Sequence, residues 1–153
     1  MLGALAVRID HHGSTSVPGL TAKPIIDIQF PVRALHPTDA YAGRFAELGY
    51  VHMPHADDAF CPFFYRPSGW PHTHHVHVVK TGGEEERRTL AFRDCLRTNA
   101  GAAREYEVLK RHLAPLYSAA RDAHQAYAEA KTAFITRVVE QALVEGYPTE
   151  IPS

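Results

Sequence analysis

The pattern of apolar and polar positions changes character once along this chain. Up to about residue 80 apolar residues come in short runs or alternate with polar ones; beyond Glu84 they recur every three or four residues. Val7-Arg8-Ile9 alternates and predicts a short strand leading into a turn of small residues. Pro24-Ile25-Ile26-Asp27-Ile28 predicts a buried strand running to about Val32, because β-branched residues follow a Pro at the first position. Pro37-Thr38-Asp39 predicts a helix start with Thr38 or Asp39 as cap, Tyr41, Phe45 and Leu48 as its apolar face and Gly49 as its stop. Tyr50-Val51-His52 and the aromatic stretch from Ala59 to Arg66, despite Pro62, are further strand candidates, and Pro67 to Pro71 is a turn. His74 to Lys80 alternates cleanly, with His75 and His77 on one face and Val76 and Val78 on the other.

From Glu84 the period is helical. Three glutamates at 84–86 favour a helix N-terminus through the macrodipole, and Leu90, Phe92, Cys95 and Leu96 form its buried stripe. Asn99-Ala100-Gly101 breaks this helix. A second carries Tyr106, Leu109, Leu113 and Leu116 on one side and ends near Pro115 to Ser118. A third, Ala119 to Gly146, repeats Ala123, Tyr127, Ala130, Phe134 and Val138. Strands first, helices last, and one helix crossing between strands predict an α+β fold: a mixed sheet with helices packed mainly on one side and a helical C-terminal half.

Composition narrows the picture. The 153 residues, with a net charge of −1, predict a single domain over 1–153 and exclude both a disordered chain and a global basic field for nucleic acid. Cys61 and Cys95 are too few for a disulfide framework and read as reduced core residues. No signal peptide and no run of membrane-spanning length is present, which predicts a cytoplasmic protein. The histidines are unusual: of eleven, six fall between His52 and His77.

Chemistry concentrates at two places. Gly13, Ser14, Thr15 and Ser16 form a turn whose N–H groups and hydroxyls could cradle a phosphate, with Ser14 as the first contact or as a hydroxyl that merely satisfies the turn. Asp27, inside an apolar strand, is costly to bury without a partner or a cleft. If the His75/His77 strand lies beside it, two imidazoles and a carboxylate converge, a set suited to zinc, iron or nickel rather than magnesium; the alternative is a polar cleft for an anion or water. His72 and His74 are expected at the surface. Lys23, Arg66, Arg87, Arg88, Arg93, Lys110 and Lys131 are candidate anion contacts, with Lys23, Arg93 and Lys131 foremost; Arg93 could instead pair with Asp94.

The block from His12 to Ile28 resembles the signature of the GrpB family. His75 to Val79, Arg88 to Arg97, Tyr106 to Lys110, and Tyr127 with Lys131 and Phe134-Ile135 resemble the same family in order along the chain. The resemblance implies a nucleotidyltransferase-like fold, in which the Gly-Ser turn holds a nucleotide and strand carboxylates hold divalent metal. Residue 29, on the face of Asp27 by period-two geometry, is Gln29, a poor magnesium ligand, so the implied carboxylate triad is incomplete. Relatives usually carry an additional N-terminal segment, and some are fused to dephospho-CoA kinase. The expectations are therefore a protein binding a nucleotide or other phosphorylated small molecule at the turn, with nucleotidyl or phosphoryl transfer, or a non-catalytic ligand-binding or chaperone-like domain supporting a partner such as dephospho-CoA kinase. A metal-dependent site at Asp27, His75 and His77 is the third.

Overall fold

The computed structural model describes residues 6–20, 25–117 and 121–148. They fall into two compact units, one holding residues 6–17 and 25–87, the other residues 18–20 and the helical segments from Arg88 onward. Among the described residues, no helix is long and apolar enough to cross a membrane.

The first unit is a five-stranded mixed sheet in the order β1-β2-β5-β4-β3. Its strands are β1 (Asp10–His12), β2 (Ile26–Val32), β3 (Val51–His52), β4 (Phe63–Arg66) and β5 (His74–Lys80). All neighbours are antiparallel except β2 and β5. Between β2 and β3 the chain runs through helix α1, Asp39–Glu47. One sheet face and α1 bury Phe30, Val32, Tyr41, Phe45, Phe64, Val76 and Val78 together. Phe45 is central, 5.1 Å from the Phe30 ring and 4.9 Å from that of Phe64. Aromatic rings at such separations add to the burial term by a fraction of a kcal/mol to about 1.5 kcal/mol per pair. Tyr41 satisfies its buried hydroxyl by donating to the Leu35 carbonyl at 2.7 Å.

Several local expectations are corrected. The first strand begins at Asp10, not Val7. Ala6 already bridges Val32 and Asp10 pairs with Gln29, so four steps along the first segment match three along β2. That is a β-bulge: one extra residue breaks the alternation that Val7-Arg8-Ile9 displays. β4 starts only at Phe63, because Pro62 lacks an N–H and residues 56–60 form tight turns. Thr38 precedes α1 but makes no side-chain cap, and Leu48 ends it 37 % exposed rather than on its buried face. Gly49 is the stop, at φ +86°.

Helix α2, Glu84–Thr98, starts in the sheet unit and continues into the second unit, followed by α3 (Ala100–Tyr117) and α4 (Arg121–Val144). The break before α3 is a single residue. Asn99 Oδ1 accepts the Ala102 N–H at 3.0 Å, so Asn99 caps α3 and Gly101 lies inside its first turn. Within this unit Tyr106 and Phe134 stack at 5.3 Å between ring centres, and the Phe92 ring stands nearly perpendicular to Tyr106 with centres 5.4 Å apart. Leu113, Val138, Val139 and Ala142 are buried with them. The side chains of Leu116, Ala123 and Tyr127 lie outside the described residues.

Candidate functional site

The sheet register decides which side chains share the second face. His12 pairs with Asp27, Asp27 with His75, and His75 with Tyr65. One step along, Asp10 pairs with Gln29, Gln29 with His77, and His77 with Phe63. Paired residues point to the same side of a sheet, so these two rungs place three imidazoles around the Asp27 carboxylate, while Asp10 is paired with Arg8. The expected meeting of Asp27 with His75 and His77 is therefore present: Asp27 Oδ1 lies 3.6 Å from His75 Nδ1 and 3.6 Å from His77 Nε2.

His12 joins them from the edge strand, its ring 5.0 Å from that of His77. Among the described residues, His12, Asp27 and His77 are the group whose ligand atoms all lie within 4.8 Å of one another. His12 was not among the residues assigned to the site from sequence. The signal was its place immediately before Gly13, but β1 had been expected to end at Ile9. His75 reaches the same carboxylate oxygen and turns its other nitrogen, Nε2, to His72 Nδ1 at 3.1 Å. Neither His72 nor His74 is fully at the surface as expected. His72 is half-buried against Tyr65, and His74 lies 3.4 Å from the Arg66 guanidinium. Burial, then the charge of Arg66, lowers the His74 pKa.

Burial alone would raise the pKa of Asp27. Contacts from His75 and His77 outweigh it, joined by the charges of His12 and His77, and the net result holds the carboxyl well below the usual carboxylate range. The site thus presents an ionised oxygen ligand beside imidazole nitrogens at neutral pH.

Gly13 closes the site on one side. Its φ of +73° is in the left-handed region, and a Cβ there would stand 2.6 Å from Asp27 Oδ2, so both conformation and space demand glycine. The following residues, Ser14–Ser16, form one 3-10 turn. Ser16 Oγ donates to the Gly13 carbonyl at 2.6 Å, and Thr15 Oγ1 bonds to His11 Nε2 at 2.8 Å. Two of the three hydroxyls thus have structural partners, Ser16 in the turn backbone and Thr15 in His11 of β1.

Gln29 is fully buried, its Nε2 3.5 Å from the main-chain oxygen of Glu86. Beside it, Arg8 pairs with Asp10 at 2.8 Å and with the buried Glu86 at 3.2 Å, while the Gly82 N–H donates to Glu86 Oε1. This network backs the second rung. Gln29 is thus part of the buried packing around Glu86.

The basic candidates divide. Arg66 is spent on the Leu48 carbonyl and the Tyr50 ring. Arg93 donates to Asp94 at 2.8 Å, and Lys110 lies over the Tyr106 ring. Arg88, Arg93, Lys110 and Lys131 belong to the helical unit, Arg87 to the end of the sheet unit. Lys23 lies outside the described residues.

Comparison with known proteins gives one answer. Residues 1–141 match the family described as GrpB protein. The protein YqkA of Bacillus subtilis is 33 % identical over 93 % of this chain, which spans only 40 % of that relative's length. A dephospho-CoA kinase of Mycobacterium leprae is 29 % identical over 71 % of the chain, covering 33 % of the kinase. The crystal structure of conserved protein GrpB from Enterococcus faecalis superposes with a TM-score of 0.80 at 34 % identity, over 94 % of this chain and 84 % of that one.

Proposed function

The chain belongs to the GrpB family, and from that premise and the sheet-face geometry we propose that it is a metal-dependent domain acting on a small anionic ligand. His12, Asp27 and His77 would hold a divalent transition ion, and the ion would supply positive charge for an anionic group of the ligand, such as a phosphate. The observation that carries this reading is the spacing of the three ligand atoms. A tetrahedral ion with bonds of about 2.1 Å has donor atoms about 3.4 Å apart; the three atoms here lie within 4.8 Å of one another, and Asp27 Oδ1 to His77 Nε2 is 3.6 Å. Two imidazoles and one carboxylate favour zinc, iron or nickel, and leave positions open for a ligand. A bound ion supplies Lewis acidity; the chain supplies its orientation through the β-ladder and a fixed carboxylate. Gln29, buried and turned towards the Glu86 main chain, weighs against a magnesium-dependent nucleotidyl transfer, whose paired carboxylates would need position 29.

The test is metal uptake by untagged protein. One equivalent of zinc or nickel per chain, displaced by protons at acid pH and lost in His12→Ala and His77→Ala, supports the reading. Metal-free protein that takes up no ion in calorimetry overturns it.

A second reading has one specific observation in its favour, the match to part of a dephospho-CoA kinase. Here the domain supports an enzyme without catalysing a step itself. It predicts that Asp27→Asn leaves that support intact, which separates it from the metal-dependent reading.

A further inference from the structure

The row of side chains that contains the candidate metal ligands does not stop at His75. Next along the rung comes Tyr65, whose ring stacks on His72 at a centroid distance of 4.3 Å and a 20° interplanar angle. His72 in turn bonds to His75, and His75 faces Asp27. Beyond His72 stands Trp70, its indole 5.0 Å from the His72 ring and 64° inclined to it, and the residue is 72 % exposed. An unbroken path of aromatic and imidazole rings therefore leads from the carboxylate to an indole that is largely open to water. The turn that carries it, Pro67-Ser68-Gly69-Trp70-Pro71, joins β4 to β5, so both rims of the turn are anchored in the strands that form the site.

Such an indole offers a flat, polarisable surface that a second planar ring can cover, and stacking of a ring on an aromatic side chain contributes about 1–3 kcal/mol. It is linked through His72 and His75 to the candidate metal site, where a bound ion would draw an anionic group. We propose that Trp70, with His72 and Tyr65 behind it, is the ring-binding subsite of the same site, so that the ligand is a planar aromatic or heteroaromatic ring carrying an anionic group. This rests on the metal-dependent reading for the anionic end, while the ring end stands on Trp70 alone.

Trp70 is the only tryptophan in the chain, so its fluorescence reports the subsite directly. The probes are adenosine 5′-monophosphate and ribose 5-phosphate, which share the phosphate and differ by the ring, titrated into zinc-loaded full chain. The expected result is quenching of Trp70 emission by adenosine monophosphate alone, with ribose 5-phosphate binding at least tenfold more weakly. In calorimetry Trp70→Leu binds adenosine monophosphate about tenfold or more weakly, the loss that stacking of this size implies, while its zinc affinity is unchanged. Equal affinities for the two probes, an unmoved Trp70 spectrum, or full affinity in Trp70→Leu would overturn the ring subsite. A wild-type protein that takes up no zinc instead removes the metal reading, and the same fluorescence titration without zinc then decides the ring subsite by itself.

Discussion

A Cβ on Gly13 would lie 2.6 Å from Oδ2 of Asp27. The turn therefore abuts the carboxylate, and the site's wall is a piece of bare backbone. Gly13→Ala has to move the Asp27 side chain or the turn and also hold a positive φ of +73°. The expected cost is about 1–3 kcal/mol of stability, read from urea unfolding, together with weaker metal binding. A change below half a kcal/mol, with metal binding intact, would show that the approach is not tight in solution.

The two candidate triads make different predictions for single histidines. His12→Ala and His77→Ala remove ligands and should abolish stoichiometric uptake. His75→Ala removes a neighbour of the carboxylate that also holds His72, so its loss should fall within the roughly 10–100-fold typical of an outer-shell partner. Calorimetric titration of the three variants with zinc ranks them, and His75→Ala behaving like His77→Ala would restore the triad read from sequence.

Acid should weaken the metal-free fold through Asp27. Its folded pKa is depressed below 3.8, so ionised Asp27 favours the folded state. This contribution is fully present above the unfolded value and is lost as the pH falls from about 4 through the folded pKa. Asp27→Asn should flatten the stability profile in this range. A wild-type profile as flat as the variant's between pH 4 and pH 2 counts against the electrostatic account of the site.

The two cysteines should be sluggish nucleophiles. Burial, then the nearby Glu85, Asp57 and Asp58, pushes the Cys61 thiol up to about 12 from 9.0, and burial raises Cys95 likewise. The raised value means the protonated thiol suits the fold: its contribution is whole below pH 9 and lost as the pH climbs towards 12. A disulfide reagent at pH 8 should label the unfolded chain at least tenfold faster than the folded one, since the thiolate is the reacting species. Equal rates would contradict the burial.

Glu86 is 1 % exposed at its side chain and its charged partner is Arg8. Arg8→Ala leaves that buried carboxylate with the Gly82 N–H but without its cation, and stranding a buried charge costs about 3–5 kcal/mol. Because Arg8 also pairs with Asp10, Arg8→Met combined with Glu86→Leu and Asp10→Asn should recover most of the loss in thermal unfolding; failure of the triple variant to recover would assign the cost to packing instead.

Much of the sheet was legible because its signal is local. The alternation of His75-Val76-His77-Val78 fixes which side chains share a face, and only the pairing of β5 with β2 had to be supplied by the fold. The apolar face of α1 was legible at Tyr41 and Phe45 for the same reason. What sequence could not supply was long-range. The extra residue between Ala6 and Asp10 has no local signature, so His12 went unassigned. The α2–α3 boundary was drawn across Asn99-Ala100-Gly101, although the cap is Asn99 and glycine tolerates a helix start. His72 reads as a surface residue from sequence, because its bond to His75 depends on how the turn folds back. Gln29 read as a missing carboxylate, but the reason it is neutral, full burial next to Glu86, belongs to tertiary packing.

The bulge sets a rule for variation at this edge. With the Ala6 bridge fixed and no surplus residue, His11 would stand opposite Asp27 and His12 would face the far side of the sheet. Ile9 is 63 % exposed within the irregular segment, so shortening the chain there regularises the ladder and keeps His12 in phase. Loss of a residue after His12 has no such slack to absorb it. Length is negotiable upstream of the edge strand, whereas parity beneath the imidazole is not.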